Sequence, residues 1–206
     1  MKQVMIVLGL LALLLPIAAW ADTITLTNQG GTITFTDQGI VSYGSELVSF
    51  NGIQSPHGHA MGSVSFGTGA FTAGVPGGTL WTGGTFSSMG SYFIVKGVGN
   101  YGEPKGTIFS GSFVGPISWT VASQNHANYI FDLTGEITGQ IWTGRTVTGT
   151  TTQVIYAYTD QWPTDHKGGI HLGTTQLTVP EPGTLGLLGR GLMLMAAAMR
   201  RKVFGS

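Results

Sequence analysis

The chain has 206 residues, of which 42% are hydrophobic and only 9% are charged, and it contains no cysteine. Its 34 glycines and 8 prolines approach a low-complexity composition, but the apolar content and the zero formal net charge exclude a disordered polyelectrolyte. The balanced charge also excludes the basic footprint of a nucleic-acid-binding protein, and the length fits one folded domain.

The first 21 residues are predicted to form a secretory signal peptide. Lys2 supplies a positive start, Val4 to Leu15 is an almost unbroken apolar run, and Ala19-Trp20-Ala21 offers the small residues of a cleavage site. Export through the Sec machinery and cleavage by signal peptidase would leave Asp22 as the first residue. An uncleaved membrane anchor is the alternative. Since the exported body has no cysteine, it must fold without disulfides.

The first part of the body, residues 22–178, alternates between apolar and polar side chains as β-strands do. Segments 23–27 and 32–36 show this alternation, and Asn28-Gln29-Gly30-Gly31 between them predicts a hairpin turn. A second turn at 37–39 leads into another short strand. The stretch 51–78, rich in glycine and with two prolines, is predicted to be a loop.

The second part of the body also alternates. Between residues 109 and 121, large apolar side chains occupy most odd positions, which places Trp119 in the core. The apolar phase continues through residues 129–147 and then moves to the even positions 154, 156 and 158, which predicts a bulge near 149–150. The segment 159–168, together with Gly169, is predicted to be irregular.

These patterns predict a single all-β domain with about eight to eleven short strands, because no segment of the body shows a helical period over ten residues. Each strand has one apolar face. A single antiparallel β-sandwich, with a jelly roll as one form, is therefore favoured over an up-and-down barrel. A β-solenoid is the alternative, since the fragments 82–87, 109–113 and 133–139 look alike, although they do not recur at a fixed period.

The C-terminal end carries a second targeting signal. An extended linker, Val179-Pro180-Glu181-Pro182-Gly183, precedes the apolar segment 184–199 and the basic cluster Arg200-Arg201-Lys202. Sixteen helical residues would span about 24 Å, which suffices for a transmembrane helix if the flanking basic side chains reach the interface. The basic cluster belongs on the cytoplasmic side, which leaves the body outside.

The order of these parts, over residues 179–206, resembles the PEP-CTERM sorting signal of exported proteins in Gram-negative bacteria. The resemblance rests on Pro180-Glu181-Pro182, the apolar segment and the basic cluster. It implies that an exosortase, a transpeptidase-like membrane protease, recognises the tail and cuts near Pro-Glu-Pro, in species that make extracellular polysaccharide and biofilm. Arg190 and the extension 203–206 depart from the pattern, and an ordinary C-terminal anchor is the alternative.

The charge of the exported body differs from that of the whole chain. Between Asp22 and Val179 there are eight acidic and four basic residues, so the body carries a net charge of about −4. This argues against anionic partners such as DNA or teichoic-type polymers. The acidic residues are Asp22, Asp37, Glu46, Glu103, Asp132, Glu136, Asp160 and Asp165; the basic ones are Lys96, Lys105, Arg145 and Lys167.

Few residues point to catalysis. His57 and His59 are candidate metal ligands, with a third ligand available only from His126, His171 or Asp165-His166, and solvated loop histidines are the simpler interpretation. The G-x-G-x-x-G sequence at 97–102 is followed by Glu-Pro-Lys-Gly rather than a helix, so it predicts a β connection and not a nucleotide site. The acids are scattered, the nearest pairs being Asp132/Glu136 and Asp160/Asp165, and neither an enzyme nor a cofactor is predicted.

Two tryptophans are candidates for binding glycans. Trp142 lies on the polar phase of its strand and Trp162 lies in a predicted loop, and exposed aromatic rings bind the apolar faces of sugars. We therefore expect an exported, non-enzymatic protein of the cell surface or extracellular matrix, associated with biofilm. A carbohydrate-binding module for extracellular polysaccharide, using Trp142 and Trp162, is the alternative, and a secreted hydrolase is the third possibility.

Overall fold

The computed structural model describes residues 22–125, 128–158 and 167–180. The predicted signal peptide, the segment 184–199 and the basic cluster 200–202 lie outside these residues, so those predictions stand as they were made. Within the described ranges we find no helical segment with the length and apolarity that a membrane crossing requires. Thr23–Val179 forms one compact unit.

The described residues form twelve strands and one short 3-10 turn, which confirms the all-β prediction. The turn is Leu80–Thr82, and Thr79 caps it by accepting a hydrogen bond from the Trp81 amide. The strands are β1 (Asp22–Thr36), β2 (Gly39–Tyr43), β3 (Ser45–Phe50), β4 (Ile53–Gln54), β5 (Gly62–Gly67), β6 (Phe71–Ala73), β7 (Gly84–Phe86), β8 (Tyr92–Gly97), β9 (Gly106–Asn125), β10 (Asn128–Ile141), β11 (Thr146–Tyr158) and β12 (Lys167–Val179).

Eight strand positions close into one antiparallel barrel. β2 and β3 share one position, because both pair with β1 and with β5, and only Gly44, at φ 69°, separates them. The sheet then runs through β5, β8, β9, β10, β11 and β12, and β12 is hydrogen-bonded to β1. The strands β4, β6 and β7 are short additions at the edges of this barrel.

The predicted sandwich is therefore wrong, and so is the solenoid alternative. One apolar face per strand is equally satisfied when a single sheet closes on itself, and the sequence pattern does not distinguish the two arrangements. Closure also leaves no free edge among the eight strands. The near-neighbour order of the strands is that of an up-and-down meander.

Aromatic side chains fill the interior. Trp119, predicted to be in the core, is fully buried, stacks on Phe131 at 4.3 Å between ring centroids, and donates an indole hydrogen bond of 2.7 Å to the Leu80 carbonyl. Phe66 stacks on Phe93 at 5.8 Å. A barrel of eight strands has an interior just wide enough for side chains to fill, and this one is packed rather than hollow over much of its length.

Two local predictions in the first third of the chain are wrong. Residues 22–36 form one continuous strand, and Gly30 and Gly31, both with positive φ, kink it instead of turning it back into a hairpin. The predicted loop 51–78 contains β5, a barrel strand whose Val64 and Phe66 are buried. Flanking glycines hide this strand in the sequence because they interrupt the alternating pattern on both sides.

The predicted change of apolar phase near residue 150 is also wrong. β11 pairs with β10 without a register shift, and the residues that point inward are Thr151, Gln153, Ile155 and Ala157. The apolar pattern misled because two inward positions are polar. Gly168 and Gly169, predicted to be irregular, belong to β12.

A buried hydrogen-bond network explains why polar residues face inward there. The Asn28 amide donates to Ser45 Oγ at 2.8 Å and to Gln153 Oε1 at 2.9 Å, and Gln153 Nε2 donates to Thr151 Oγ1 at 2.8 Å. The Thr151 and Thr175 hydroxyls lie 2.9 Å apart. These partners come from β1, β3, β11 and β12, so the network spans the β1–β12 seam at which the barrel closes.

Both ends of the body lie at the same rim of the barrel. Because eight antiparallel positions alternate in direction, β12 ends where β1 begins. The Thr25 amide accordingly donates to Asn51 Oδ1 at 2.9 Å, at the end of β3. We call this rim the terminal rim. It comprises the start of β1, the turn 51–52, the loop 98–105, the turn 142–145 and the end of β12. The turn 37–38 and the connection 68–91 lie at the opposite rim.

Candidate functional site

A polar groove runs along the outer wall of the barrel, over β1 and β3. Gln29 and Glu46 are directly opposite each other in the β1–β3 pairing, and both side chains are exposed. The segment after β4 covers one side of this wall and encloses a cavity of about 630 Å³. The lining is mainly hydroxyl, carboxylate, amide and imidazole side chains: Thr27, Gln29, Glu46, Ser49, Gln54, Ser55, His57 and His59.

A second cavity of about 480 Å³ adjoins the first and shares Gln29 and Glu46 with it. Tyr156 and His171 form its far wall, with their ring centroids 4.8 Å apart. Gly30, Gly31, Gly44 and Gly169 also line it, and Gly31 must be glycine because a Cβ there would lie 2.5 Å from the Ser45 backbone nitrogen. We call the two cavities together the outer groove.

The chemistry of the outer groove suits an uncharged, hydroxyl-rich ligand. The planar carboxylate of Glu46 and the amide of Gln29 can each engage two neighbouring hydroxyls, and the Tyr156 ring offers an apolar face. No lysine or arginine lines either cavity within the described residues, so nothing there compensates a phosphate or carboxylate.

The candidate histidine pair has no third metal ligand beside it among the described residues. His57 and His59 are exposed in the turn before β5, and the ring of His59 lies 6.3 Å from that of Tyr101. Among the residues that the structure describes, no three His, Asp or Glu side chains come close enough to hold an ion. His171 lies in the second cavity, and His126, Asp165 and His166 lie outside the described residues.

The glycine-rich loop 97–102 forms a β connection between β8 and β9, as its sequence context predicts. The buried carboxylate of Glu103 accepts hydrogen bonds from the backbone amides of Gly99, Asn100 and Tyr101 at 2.6, 3.0 and 3.0 Å. Burial raises the pKa of this carboxyl, but the backbone amides outweigh it and hold the pKa below its ordinary value. The amides that could bind a phosphate are thus already occupied by the chain's own carboxylate.

The other candidates fall at separate places. Trp142 is 43% exposed in the turn after β10, packs edge-on against Phe50 at 5.9 Å and does not line the outer groove; Trp162 lies outside the described residues. Asp132 and Glu136 lie four residues apart on β10, so their Cα atoms are about 13 Å apart. Neither residue lines the outer groove, and Asp160 and Asp165 are outside the described residues.

The sequence interpretation missed the groove residues Gln29, Glu46, Tyr156 and His171. It placed Gln29 in a turn and Tyr156 on the inward face, both through errors of strand assignment. The one signal in the sequence was that polar residues lie next to two double glycines, Gly30-Gly31 and Gly168-Gly169. A double glycine in a strand often marks a close approach of another backbone or a ligand.

Comparison with known proteins identifies the C-terminal segment. Residues 178–202 match the family model for the PEP-CTERM protein-sorting motif, which confirms the resemblance drawn from Pro180-Glu181-Pro182 and the basic cluster. The motif marks the chain for export, for processing by an exosortase and for the cell surface of a Gram-negative bacterium. No curated protein and no solved structure matches the chain.

Proposed function

We propose that this PEP-CTERM-sorted protein is a non-enzymatic display and interaction domain at the cell surface. The observation that carries the proposal is the position of Thr23 and Val179 at one rim of a closed barrel. The sorting motif begins with Thr178 and Val179, the last residues of β12, so the attachment point lies at the terminal rim. The opposite rim and the outer wall then face away from it.

The packing of the barrel supports a display role. Its core is built from interlocking aromatic side chains, among them Trp119, Phe131, Phe66 and Phe93, and such a core is rigid because it is close-packed. A rigid body with adjacent ends holds its far rim at a fixed distance from the attachment point. Neither acid of the candidate pair on β10, Asp132 and Glu136, lines the outer groove.

Epitope tags at the two rims test this proposal. One variant carries a tag in the turn at Asp37-Gln38 of the opposite rim, and the matched variant carries it at Gly144 of the terminal rim. We expect antibody added to intact cells to bind the first tag in cells with an active exosortase. Binding only after the cells are opened would contradict display at the surface, and truncation at Val179 should abolish the surface signal in the same assay.

Carbohydrate binding is the second candidate function, and the outer groove favours it. Its Gln29, Glu46, Tyr156 and His171 form a hydroxyl-binding set beside an aromatic face. We expect the Tyr156→Ala/His171→Ala variant to lose retention on the producer's own extracellular polysaccharide. Trp142→Ala is the matched control, because Trp142 tests the other proposed binding residue; loss in that variant alone would move the site to Trp142.

A further inference from the structure

Three exposed apolar side chains lie at the terminal rim. Ile53, Val98 and Trp142 are 47%, 40% and 43% exposed, and each belongs to a different connection of that rim. Soluble surfaces tolerate single exposed residues of this kind, but a group in one place marks an interaction surface. We call these three residues the rim patch.

The rim patch is built on the core rather than on loose loops. Trp142 packs edge-on against the buried Phe50, and Phe50 pairs directly with Ile53 across the β3–β4 turn. Ile53 in turn lies against Gly102, where its Cδ1 is 3.1 Å from the position that a Cβ would take. The Trp142 amide donates to the Ile108 carbonyl at 3.1 Å, so the turn is fixed to β9. Two of the three patch residues, Ile53 and Trp142, are therefore tied to the buried Phe50.

Positive charge is concentrated at the same rim. Three of the four basic residues of the body, Lys96, Lys105 and Arg145, lie at the ends of β8, β9 and β11 there. The acids at this rim are Asp22, the first residue of β1, and Glu103, whose carboxylate is buried against backbone amides. The body has a net charge of about −4, yet most of its basic residues lie at the rim where β12 ends and the sorting motif begins.

We propose that the terminal rim lies against an anionic lipid surface while the sorting motif holds the chain at the membrane. The indole ring of tryptophan is favoured at the level of the headgroups, and lysine and arginine near the surface are attracted by anionic lipids. This proposal depends on the proposed function in one respect, namely that the sorting motif brings the terminal rim to the membrane. It assigns Ile53, Val98 and Trp142 to the interface, and Lys96, Lys105 and Arg145 to the lipid headgroups.

The absence of cysteine from the sequence makes a direct test possible. The exported chain with its sorting motif is reconstituted into vesicles of phosphatidylcholine with phosphatidylglycerol, and a single cysteine carries an environment-sensitive fluorophore. Ile53→Cys reports on the terminal rim, and Met89→Cys, 85% exposed in the connection at the opposite rim, is the matched control. We expect spin-labelled lipids to quench the fluorophore at 53 and to leave that at 89 unchanged.

Charge variants complete the test. Lys105→Gln/Arg145→Gln should lose the quenching at 53, as should high salt, whereas Lys167→Gln at the start of β12 should keep it. Equal quenching at 53 and 89, or none at 53 in chains that float with the vesicles, would overturn the proposal and leave surface display untouched. Chains that do not float with the vesicles would overturn the proposal as well. The antibody assay on intact cells tests surface display independently.

Discussion

Replacing Gln153 with alanine should destabilise the barrel strongly, although the residue is polar. Gln153, on β11, is fully buried beside the β1–β12 seam and makes three side-chain hydrogen bonds. Its Oε1 accepts from Asn28, and its Nε2 donates to Asn28 Oδ1 and to Thr151 Oγ1. The substitution removes all three and leaves the buried Asn28 oxygen without that donor.

The magnitude follows from these contacts. Three hydrogen bonds at about 1 kcal/mol net each give about 3 kcal/mol, and the unsatisfied Asn28 oxygen adds about 1–2 kcal/mol. A loss of roughly 4 kcal/mol is a large share of the 5–15 kcal/mol by which domains are usually stable. For a body of this size it corresponds to a fall in Tm on the order of 10 °C.

Denaturant unfolding followed by tryptophan fluorescence measures the change. Gln140→Ala is the matched control, because Gln140 is an exposed glutamine on the neighbouring strand β10, and it should change the free energy of unfolding by less than about 0.5 kcal/mol. The double variant Asn28→Ala/Gln153→Ala should cost less than the sum of its singles, since both break the same two bonds. If Gln153→Ala behaved like Gln140→Ala, or the singles simply added, the assigned network would be refuted.

Three further substitutions test other parts of the structure. Gly31→Ala should prevent folding or lower the free energy of unfolding by several kcal/mol, because its Cβ would lie 2.5 Å from the Ser45 backbone nitrogen. Gly30→Ala also has a positive φ, but its Cβ would meet open space, so it should lower the free energy of unfolding by only about 1–2 kcal/mol in the same assay. Trp119→Ala should lower stability by about 3–5 kcal/mol through the cavity it leaves, and Trp142→Ala by far less; similar thermal shifts for both would contradict the burial assigned to Trp119. Glu103→Gln should be less stable than the parent protein at neutral pH, and the difference in stability should shrink in acid. The pKa of Glu103 in the folded protein lies below the unfolded value of 4.5. The carboxylate therefore stabilises the fold above pH 4.5, and this stabilisation is lost as the pH falls through the folded pKa. Thermal melts from neutral to acidic pH check this, and a difference that stays constant would show that the carboxylate charge is not responsible.

Much of the strand content could be read from the sequence, because alternation along a strand reports burial on one face. The large apolar residues at odd positions illustrate this, because they are spaced for one face in the sequence and are buried in the structure: Phe109, Phe113, Ile117 and Trp119. The same is true of Ile137, Ile141 and Val147 on β10 and β11. The β connection at 97–102 could be predicted as well, since no helix pattern follows its glycines.

The outer groove could not be predicted, because its residues come from strands far apart in the chain. Gln29 and Glu46 meet only through the β1–β3 register, and Tyr156 and His171 reach them only when β12 pairs with β1. A single sequence contains no record of which strand closes the sheet. The rim patch is similar, since Ile53 and Trp142 both lie beside Phe50 only because β3 and β10 end at the same rim.

The sequence by itself determined the targeting motif, the all-β class and the aromatic core, since each depends on residues close together in the chain or on a regular period of side chains. Tertiary structure alone decided that the sheet closes into a barrel, that Asn28 and Gln153 turn inward, and that Thr23 and Val179 end side by side. The physical reason is that a buried amide is stable only when distant partners complete its hydrogen bonds. At Asn28 and Gln153 those partners lie 125 positions apart, and only the closed seam between β12 and β1 brings them together.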